Sequence, residues 1–220
     1  MSCTPKHHTE PAPVVRLAVG DAHDRLAAFV NTMATRRSIR EFSTDPVPVA
    51  LVEQAVLAAS RAPSGANIQP WRFVLVEDPA ARATVRAAAE AEEREFYERR
   101  ATPAWLDALA PLGTDATKPF LTDAPHLLVL MEVHASEVER KPYYVKESVG
   151  IALGFFLAAL HHAGLATLTH TPSPMGVLTE VLGRPRNERP YVVLPLGWPA
   201  DGAEVPVIGK KPLDEVLVRV

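Results

Sequence analysis

Apolar residues recur with helical spacing along most of this chain, and the spacing predicts six helices. The first has Leu26, Phe29, Val30 and Met33 on one face, which is the period of an amphipathic helix. The predicted helices cover about residues 22–34, 47–61, 79–100, 103–110, 144–162 and 174–183. The fifth is apolar nearly all round, which is typical of a central, buried helix.

Four shorter apolar runs predict strands that alternate with these helices. They are WRFVLVE, HLLVLMEV, ATLTHT and YVVLPLGW. HLLVLMEV is continuously apolar, as in a sheet that is buried on both faces. Such alternation predicts an α/β or an α+β fold with one mixed sheet. We expect a disordered leader over residues 1–20 and a single domain over residues 21–220, because no repeat or linker divides the latter.

The C-terminal run KKPLDEVLVRV is predicted to be extended, and it has no evident partner within the chain. Together with the apolar helix over residues 144–162, it presents apolar surface that one chain does not cover. Such surface is typical of a symmetric dimer. We therefore expect a homodimer in which helices pack across a two-fold axis and the C-terminal tails are exchanged.

Composition excludes several classes of partner. The 220 residues include 23 Lys plus Arg and 26 Asp plus Glu, a formal charge of −3. A chain so nearly neutral has no electrostatic footprint for nucleic acid or an anionic membrane. It has no run of eighteen apolar residues, and its first fifteen residues lack the apolar stretch of a signal peptide. We therefore expect a cytoplasmic protein without a membrane span.

Several kinds of catalytic centre have no support in the sequence. The motifs of dinucleotide-binding, P-loop and α/β-hydrolase sites are absent. The single cysteine, Cys3, stands in a polar leader, so we expect neither a nucleophile nor an intrachain disulfide. The eight histidines include no pair at i and i+4 with a neighbouring carboxylate, so no metal site is expected.

Basic residues after the first helix form one candidate binding segment. Three guanidinium groups and a hydroxyl fall within five residues, at Arg36, Arg37, Ser38 and Arg40. Such groups bind phosphate through charge-assisted, often bidentate hydrogen bonds. The alternative is that these cations only complement the dipole at the C-terminus of the preceding helix.

Two further segments are candidates for ligand contacts. In the loop APSGANIQP, small residues around Gly65 let backbone N–H groups approach a ligand closely, and Ser64 and Asn67 offer side-chain hydrogen bonds. The alternative is an ordinary helix-to-strand loop. In the segment Thr169–Thr171, where a strand ends, hydroxyls would face a bound ring. Taken alone, a histidine such as His170 is more often packed or solvated than a ligand.

In combination and in this order, these segments resemble the FMN-dependent nitroreductase superfamily. The resemblance rests on RRSIREF, APSGANIQPWRFVLV, GIALGFFLAALHHAGLATL, LGRP and KKPLDE, and it spans roughly residues 30–220. It implies an α+β fold with a mixed sheet wrapped by helices. It also implies an obligate homodimer with two FMN sites at the subunit interface.

The resemblance further implies which residues hold FMN. Those that would bind the flavin phosphate and ring edge are Arg36, Arg37, Ser38 and Arg40, with Lys210 near the phosphate. Those that would line the isoalloxazine are Pro63, Ser64, Gly65, Thr169, His170 and Thr171. By the same analogy, the Thr171 hydroxyl hydrogen-bonds flavin N5, which makes Thr171 the expected catalytic residue.

One segment narrows the resemblance to the iodotyrosine deiodinases. AEEREFYERR and the following PAWLDALAPLGTDATKPFLTDAP are similar to their active-site lid, here about residues 90–120. That family binds the amino-acid end of a halotyrosine with a Glu, a Tyr and a Lys, which match Glu93, Tyr97 and Lys118. A carboxylate suits the substrate ammonium, while an ammonium and a hydroxyl suit its carboxylate. On the residues alone, a charged helix of this kind indicates a solvated face.

The resemblance therefore implies FMN-dependent reductive dehalogenation of a 3-halotyrosine to tyrosine and halide. Backbone N–H groups near Ala66 would meet the phenol oxygen, and electrons would come from NAD(P)H or a separate reductase. Lys210 stands where animal deiodinases usually have Arg. One alternative is a general FMN nitroreductase or quinone reductase, which needs an open apolar face and no clamp for a zwitterion. Another is a non-catalytic FMN-binding module, which would turn over no electron acceptor.

Overall fold

The computed structural model describes residues 9–134 and 143–220. The predicted elements appear in the predicted order, together with two short helices that were not predicted, over Phe120–Asp123 and Leu213–Val216. The helices are α1 (Val19–Ala34), α2 (Val49–Ala59), α3 (Pro79–Glu95), α4 (Pro103–Leu109), α5 (Phe120–Asp123), α6 (Val145–His162), α7 (Val177–Val181) and α8 (Leu213–Val216). The strands are β1 (Trp71–Leu75), β2 (His126–Val133), β3 (Ala166–Thr167) and β4 (Glu188–Gly197). The predicted α+β fold is confirmed.

The chain divides into two compact units after Thr35. The first unit contains α1, which begins at Val19 and carries four large exposed apolar side chains, those of Val19, Leu26, Phe29 and Val30. Cys3 lies outside the described residues, so the predictions made for it stay predictions. The predicted division into a leader and one domain stays a prediction.

A four-stranded sheet organises the second unit. The strand order is β1-β2-β4-β3, and every pairing within the described residues is antiparallel. The sheet predicted as mixed is therefore antiparallel here. The predicted strand ATLTHT is shorter than expected: it pairs over Ala166–Thr167 and again through a single bridge between His170 and Val193.

The strand β2 is buried on both faces, as its continuous apolar run predicts. Its Leu128 and Leu130 belong to the core layer formed with α2 and α6. Its alternate residues Leu127, Val129 and Met131 belong to a second layer formed with α3, α5 and α7. Because both faces of β2 are covered, its sequence is an uninterrupted apolar segment although its pairing is antiparallel.

The helix α6 is buried along one side and partly exposed along the other. Val149 and Phe156 are fully buried against the sheet, whereas Ile151 and Phe155 are 40% and 44% exposed. One side is thus buried as predicted for a central helix, and the other agrees with the prediction of apolar surface that one chain does not cover. The helix has an apolar side that this chain leaves uncovered.

The C-terminal tail was predicted to be extended, but part of it is helical. Residues Leu213–Val216 form the short helix α8, and the backbone N–H of Leu217 donates to the Leu213 carbonyl at 2.8 Å. Pro212 directly before the helix and two acidic residues in its first turn favour this helical start. The alternating pattern of the tail was too short to exclude a helical turn.

Within residues 9–134 and 143–220, none of the helices combines the length and apolar character that a bilayer span requires.

Candidate functional site

A cavity of about 450 Å³ lies beside the core layer that α3 covers. Phe120 and Leu168, which belong to that layer, form part of its wall. Charged and polar lining residues are Arg40, Glu92, Glu93, Arg100, Thr114, Lys118, Thr169, His170, Thr171 and Ser173. Its other aromatic and apolar residues are Phe96, Tyr97, Trp105 and Leu109. The cavity brings together segments that are far apart in sequence.

Lys118 is a buried cation in this cavity. Its Nζ lies 3.2 Å from Glu93 Oε2, and the two side chains are 6% and 17% exposed. The ammonium also donates to the carbonyl oxygen of Asp115, in the turn that leads to Lys118. A buried charge is tolerated only with such partners. The predicted residues Glu93 and Lys118 therefore form a closed ion pair.

The predicted Tyr97 lies next to this ion pair. Its hydroxyl and the Thr114 hydroxyl lie 2.8 Å apart and form a hydrogen bond. The Lys118 Nζ is 5.8 Å from the centroid of the Tyr97 ring, within the range of a cation–π interaction. The structure thus places a carboxylate, an ammonium and a phenolic hydroxyl in one cavity.

The helix that carries Glu93 and Tyr97 changes type between them. Asp78 caps the start of α3 by accepting from the backbone N–H of Ala80 and Ala81. The helix was predicted to continue to Arg100, but it ends at Glu95 and a π-helical turn covers Phe96–Arg100. Such turns are rare and recur at functional sites. The spacing of apolar residues does not distinguish them from an α-helix.

Arg100 and Glu92 are cavity residues that the sequence analysis missed. The Arg100 guanidinium donates to the Glu92 carbonyl at 3.0 Å and to its carboxylate at 3.1 Å. This pair closes the π-helical turn back onto α3. No local sequence motif identifies it, because the contact spans eight residues rather than a regular helical spacing.

An aromatic wall lines another side of the cavity. Trp105 contacts Phe96 edge to face, with ring centroids 5.6 Å apart. Trp105 lies on α4, which begins at Pro103 and is capped by the Thr102 hydroxyl, the acceptor for the Trp105 N–H. The sequence TPAW contains this helix start, but its place in the cavity was not predicted.

His170 is buried where the chain leaves β3. Its backbone pairs with Val193 through hydrogen bonds of 2.9 and 2.8 Å, and its ring meets Phe120 edge to face. Burial, reinforced by the positive charges of Lys118 and Arg40, lowers the pKa of His170 to about 4. Its Nε2 atom is buried without a hydrogen-bond partner. The ring is therefore neutral at pH 7.

The basic segment lies against β3 and reaches the cavity. The backbone N–H of Ile39 donates to the Thr167 carbonyl at 3.2 Å, and Arg40 lines the cavity. Arg37 donates to the Pro206 carbonyl, while Arg36 and Ser38 are half-buried in the same segment. Each guanidinium carries five N–H donors, so the segment retains donors for an anionic ligand.

Besides Arg36, Arg37 and Ser38, five predicted residues are not among those that line this cavity: Pro63, Ser64, Gly65, Ala66 and Lys210. The Ser64 hydroxyl instead accepts the backbone N–H of Gln69 at 2.9 Å. A Cβ at Gly65 would lie 2.9 Å from the Tyr143 ring, so the glycine allows this close contact. Ala66 has a φ of 49°, a strained conformation that is enriched at functional loops. Lys210 is exposed.

Comparisons with known proteins agree on one family. The model of the Nitroreductase family matches residues 33–198. An iodotyrosine deiodinase from Haliscomenobacter hydrossis is 50% identical over 196 residues, which cover 87% of this chain and 88% of that protein. Iodotyrosine deiodinase 1 from Rattus norvegicus is 42% identical, over 89% of this chain and 70% of its own length.

A solved structure shows the same fold. It is a crystal structure of oxidized iodotyrosine deiodinase bound to FMN and 3-iodo-L-tyrosine. It matches with a TM-score of 0.74 and 32% sequence identity, over 87% of this chain and 97% of that chain.

Burial of neutral His170 predicts a loss of stability in acid. Its folded-state pKa of about 4 lies below the ordinary value, so only the unfolded chain takes up this proton between about pH 6.5 and 4. The free energy of unfolding should therefore fall from pH 7 to pH 5 by about 2 kcal/mol more in the wild type than in His170→Gln.

Urea unfolding of the ligand-free protein at the two pH values measures this difference. His162→Gln, which changes an exposed histidine, is the control and should lose as much stability as the wild type. An equal loss in the wild type and His170→Gln would contradict the assignment.

Proposed function

Because this chain belongs to the nitroreductase family and, within it, to the iodotyrosine deiodinases, we propose that it dehalogenates 3-halotyrosines reductively with bound FMN. The products are tyrosine and a halide ion. The observation that carries the proposal is the Glu93–Lys118 ion pair beside the Tyr97 hydroxyl in one cavity. These three groups match the two charges of a free amino acid.

The ion pair explains how an amino acid would be held. The substrate ammonium would join the Glu93 carboxylate, and the substrate carboxylate would accept hydrogen bonds from Lys118 and Tyr97. Each member of the buried pair then keeps a partner of opposite charge. A phenol without the amino-acid group would leave the pair closed and would gain none of these bonds.

The aromatic wall suits the other end of the substrate. Phe96 and Trp105 offer apolar and edge-on aromatic contacts to a halogenated ring. We propose that residues 90–120 act as the lid that covers this ring and excludes water. Trp105, which lines the cavity, is itself 57% exposed.

The residues present fit FMN. Arg36, Arg37, Ser38 and Arg40 supply the charged and hydroxyl donors that a phosphate requires, and Arg40 reaches the cavity. Thr169 and Thr171, both exposed, line the same cavity, and their hydroxyls would contact the flavin ring. When bound and reduced, FMN would supply the two electrons that, together with one proton, replace the carbon–halogen bond with a carbon–hydrogen bond and release halide. Thr171 would hold a hydrogen bond at flavin N5.

A homodimer would complete this site. The loop with Pro63, Ser64, Gly65 and the strained Ala66, together with Lys210, lies outside the described cavity, and in the proposed dimer a second copy would supply these groups. The exposed apolar side of α6, with Ile151 and Phe155, supports the same assembly. We propose that α6 packs across the two-fold axis and that the C-terminal tails are exchanged.

Turnover tests the proposed reaction directly. The FMN-loaded protein should convert many equivalents of 3-iodo-L-tyrosine to tyrosine with dithionite as reductant, measured by chromatography beside an enzyme-free control. A parallel reaction with NADPH in place of dithionite tests direct use of that donor. If tyrosine does not form while NADPH-dependent nitroaromatic reduction proceeds, the protein is a general nitroreductase.

The Glu93–Lys118 ion pair is the proposed clamp for the amino-acid group of the substrate, and loss of either charge should weaken substrate binding. Glu93→Gln and Lys118→Ala each leave a buried charge without its partner, so the Kd of 3-iodo-L-tyrosine should rise about tenfold or more. FMN absorbance should show that the cofactor stays bound. Glu98→Gln, an exposed position in the same π-helical turn, should bind like the wild type. Unchanged affinity in both clamp variants would rule out the assignment.

Phe155→Glu should dissociate the proposed dimer. It places a charge on the exposed apolar side of α6, where burial in an interface would be unfavourable. Sedimentation of the FMN-loaded protein should show a dimer for the wild type and a monomer for this variant. Val177→Glu, at a position with a similar exposed fraction on α7, is the control and should remain dimeric. A dimeric Phe155→Glu protein would argue against α6 as the interface.

A further inference from the structure

Glu90 is a carboxylate that lies outside the cavity and binds one of its residues through the backbone. Its Oε1 accepts the backbone N–H of Lys118 at 2.8 Å. The same oxygen accepts from Arg86 Nε, also at 2.8 Å, and both side chains are largely buried. Glu90 is not among the residues that line the cavity. Glu90 therefore contacts the backbone of Lys118 on the side away from the cavity, where it would not touch a ligand.

Arg86 extends this contact to the next turn of the chain. Its Nη1 donates to the Thr122 hydroxyl at 2.8 Å, and that hydroxyl lies 3.0 Å from the Pro119 carbonyl. The segment from Lys118 to Thr122 is thus tied to α3 at both ends. Arg86 and Glu90 are one helical turn apart, so they support each other on one side of α3.

We propose that Glu90, supported by Arg86, is a positioning residue that fixes the backbone of Lys118 so that its ammonium meets the substrate carboxylate. The inference rests on the proposed function, which assigns Lys118 to the substrate carboxylate. It adds Glu90 as a residue that supports binding without touching the substrate. A lysine side chain has four rotatable bonds, so the ammonium is placed reproducibly only if its backbone is held.

Glu90 stands on the same helix, α3, as the carboxylate that pairs with Lys118. Glu93, the other member of the clamp, lies three residues further along the same helix, so one rigid element sets both sides of the clamp. Burial alone would raise the pKa of Glu90, but hydrogen bonds from the Lys118 N–H and from Arg86 outweigh it and hold that pKa below its ordinary value. Glu90 is therefore a carboxylate at neutral pH, and its bond to the N–H is charge-assisted.

Substrate affinity is the first measurement. In the FMN-loaded protein, Glu90→Ala should raise the Kd of 3-iodo-L-tyrosine about tenfold, as expected for loss of a charge-assisted hydrogen bond, while kcat at saturation stays within about twofold. Glu90→Gln keeps an acceptor and should have an intermediate Kd. Glu95→Ala is the matched control, because Glu95 lies on the same helix in an exposed ion pair with Arg99. Its Kd should equal that of the wild type.

A double variant tests whether the effect passes through Lys118. If it does, Glu90→Ala should not raise the Kd further in a Lys118→Ala background. Additive effects would instead show that Glu90 supports the fold in general and would overturn the proposal. Equal Kd values for Glu90→Ala, Glu90→Gln and Glu95→Ala would overturn it as well.

Hydrogen exchange gives a readout that needs no substrate. The amide of Lys118 should exchange at least about tenfold faster in Glu90→Ala than in Glu95→Ala, because its acceptor has been removed. Unchanged exchange would overturn the proposed contact. If exchange responds as expected but the wild type neither binds nor turns over 3-iodo-L-tyrosine, the proposed function fails while the contact stands.

Discussion

The fold depends on one strand that is apolar on both faces. Six consecutive residues of β2 are buried, so the sheet needs a covering layer on each side. α2 and α6 cover one side, and α3, α5 and α7 cover the other. On α3, Val85 and Ala89 face the core and Glu93 follows at the same helical spacing. The side of α3 that covers the sheet therefore extends to the cavity, where it presents the Glu93 carboxylate.

The site is then organised around a cation that has little contact with water. Lys118 is buried among a carboxylate, a carbonyl and an aromatic ring, all supplied by the neighbouring helix or turn. Loss of one partner would leave an uncompensated charge, which is far less favourable than a missing surface ion pair. The backbone of Lys118 is held as well as its ammonium, because Glu90 accepts the Lys118 N–H and is itself bound by Arg86.

Local pattern predicted the order and type of most elements, because β2 and α6 are long apolar segments and α3 is a long helix that starts at a proline. It failed where short-range signals are weak: the π-helical turn after Glu95 and the helix α8. The grouping of Glu93, Tyr97 and Lys118 came from family resemblance, since the spacing alone cannot show that residues 21 positions apart meet. Glu92, Arg100 and Trp105 were missed, because their contacts depend on how the lid segment folds back on itself.

The closed Glu93–Lys118 pair also determines how the site responds to dissolved salt. The pair has no net charge, and neither has a zwitterion, so their association changes no net charge and displaces few counterions. Long-range attraction then contributes little to capture, and ionic strength has little influence on affinity. Discrimination falls to short-range fit: a ligand with only one of the two charges leaves Glu93 or Lys118 buried without its counterpart.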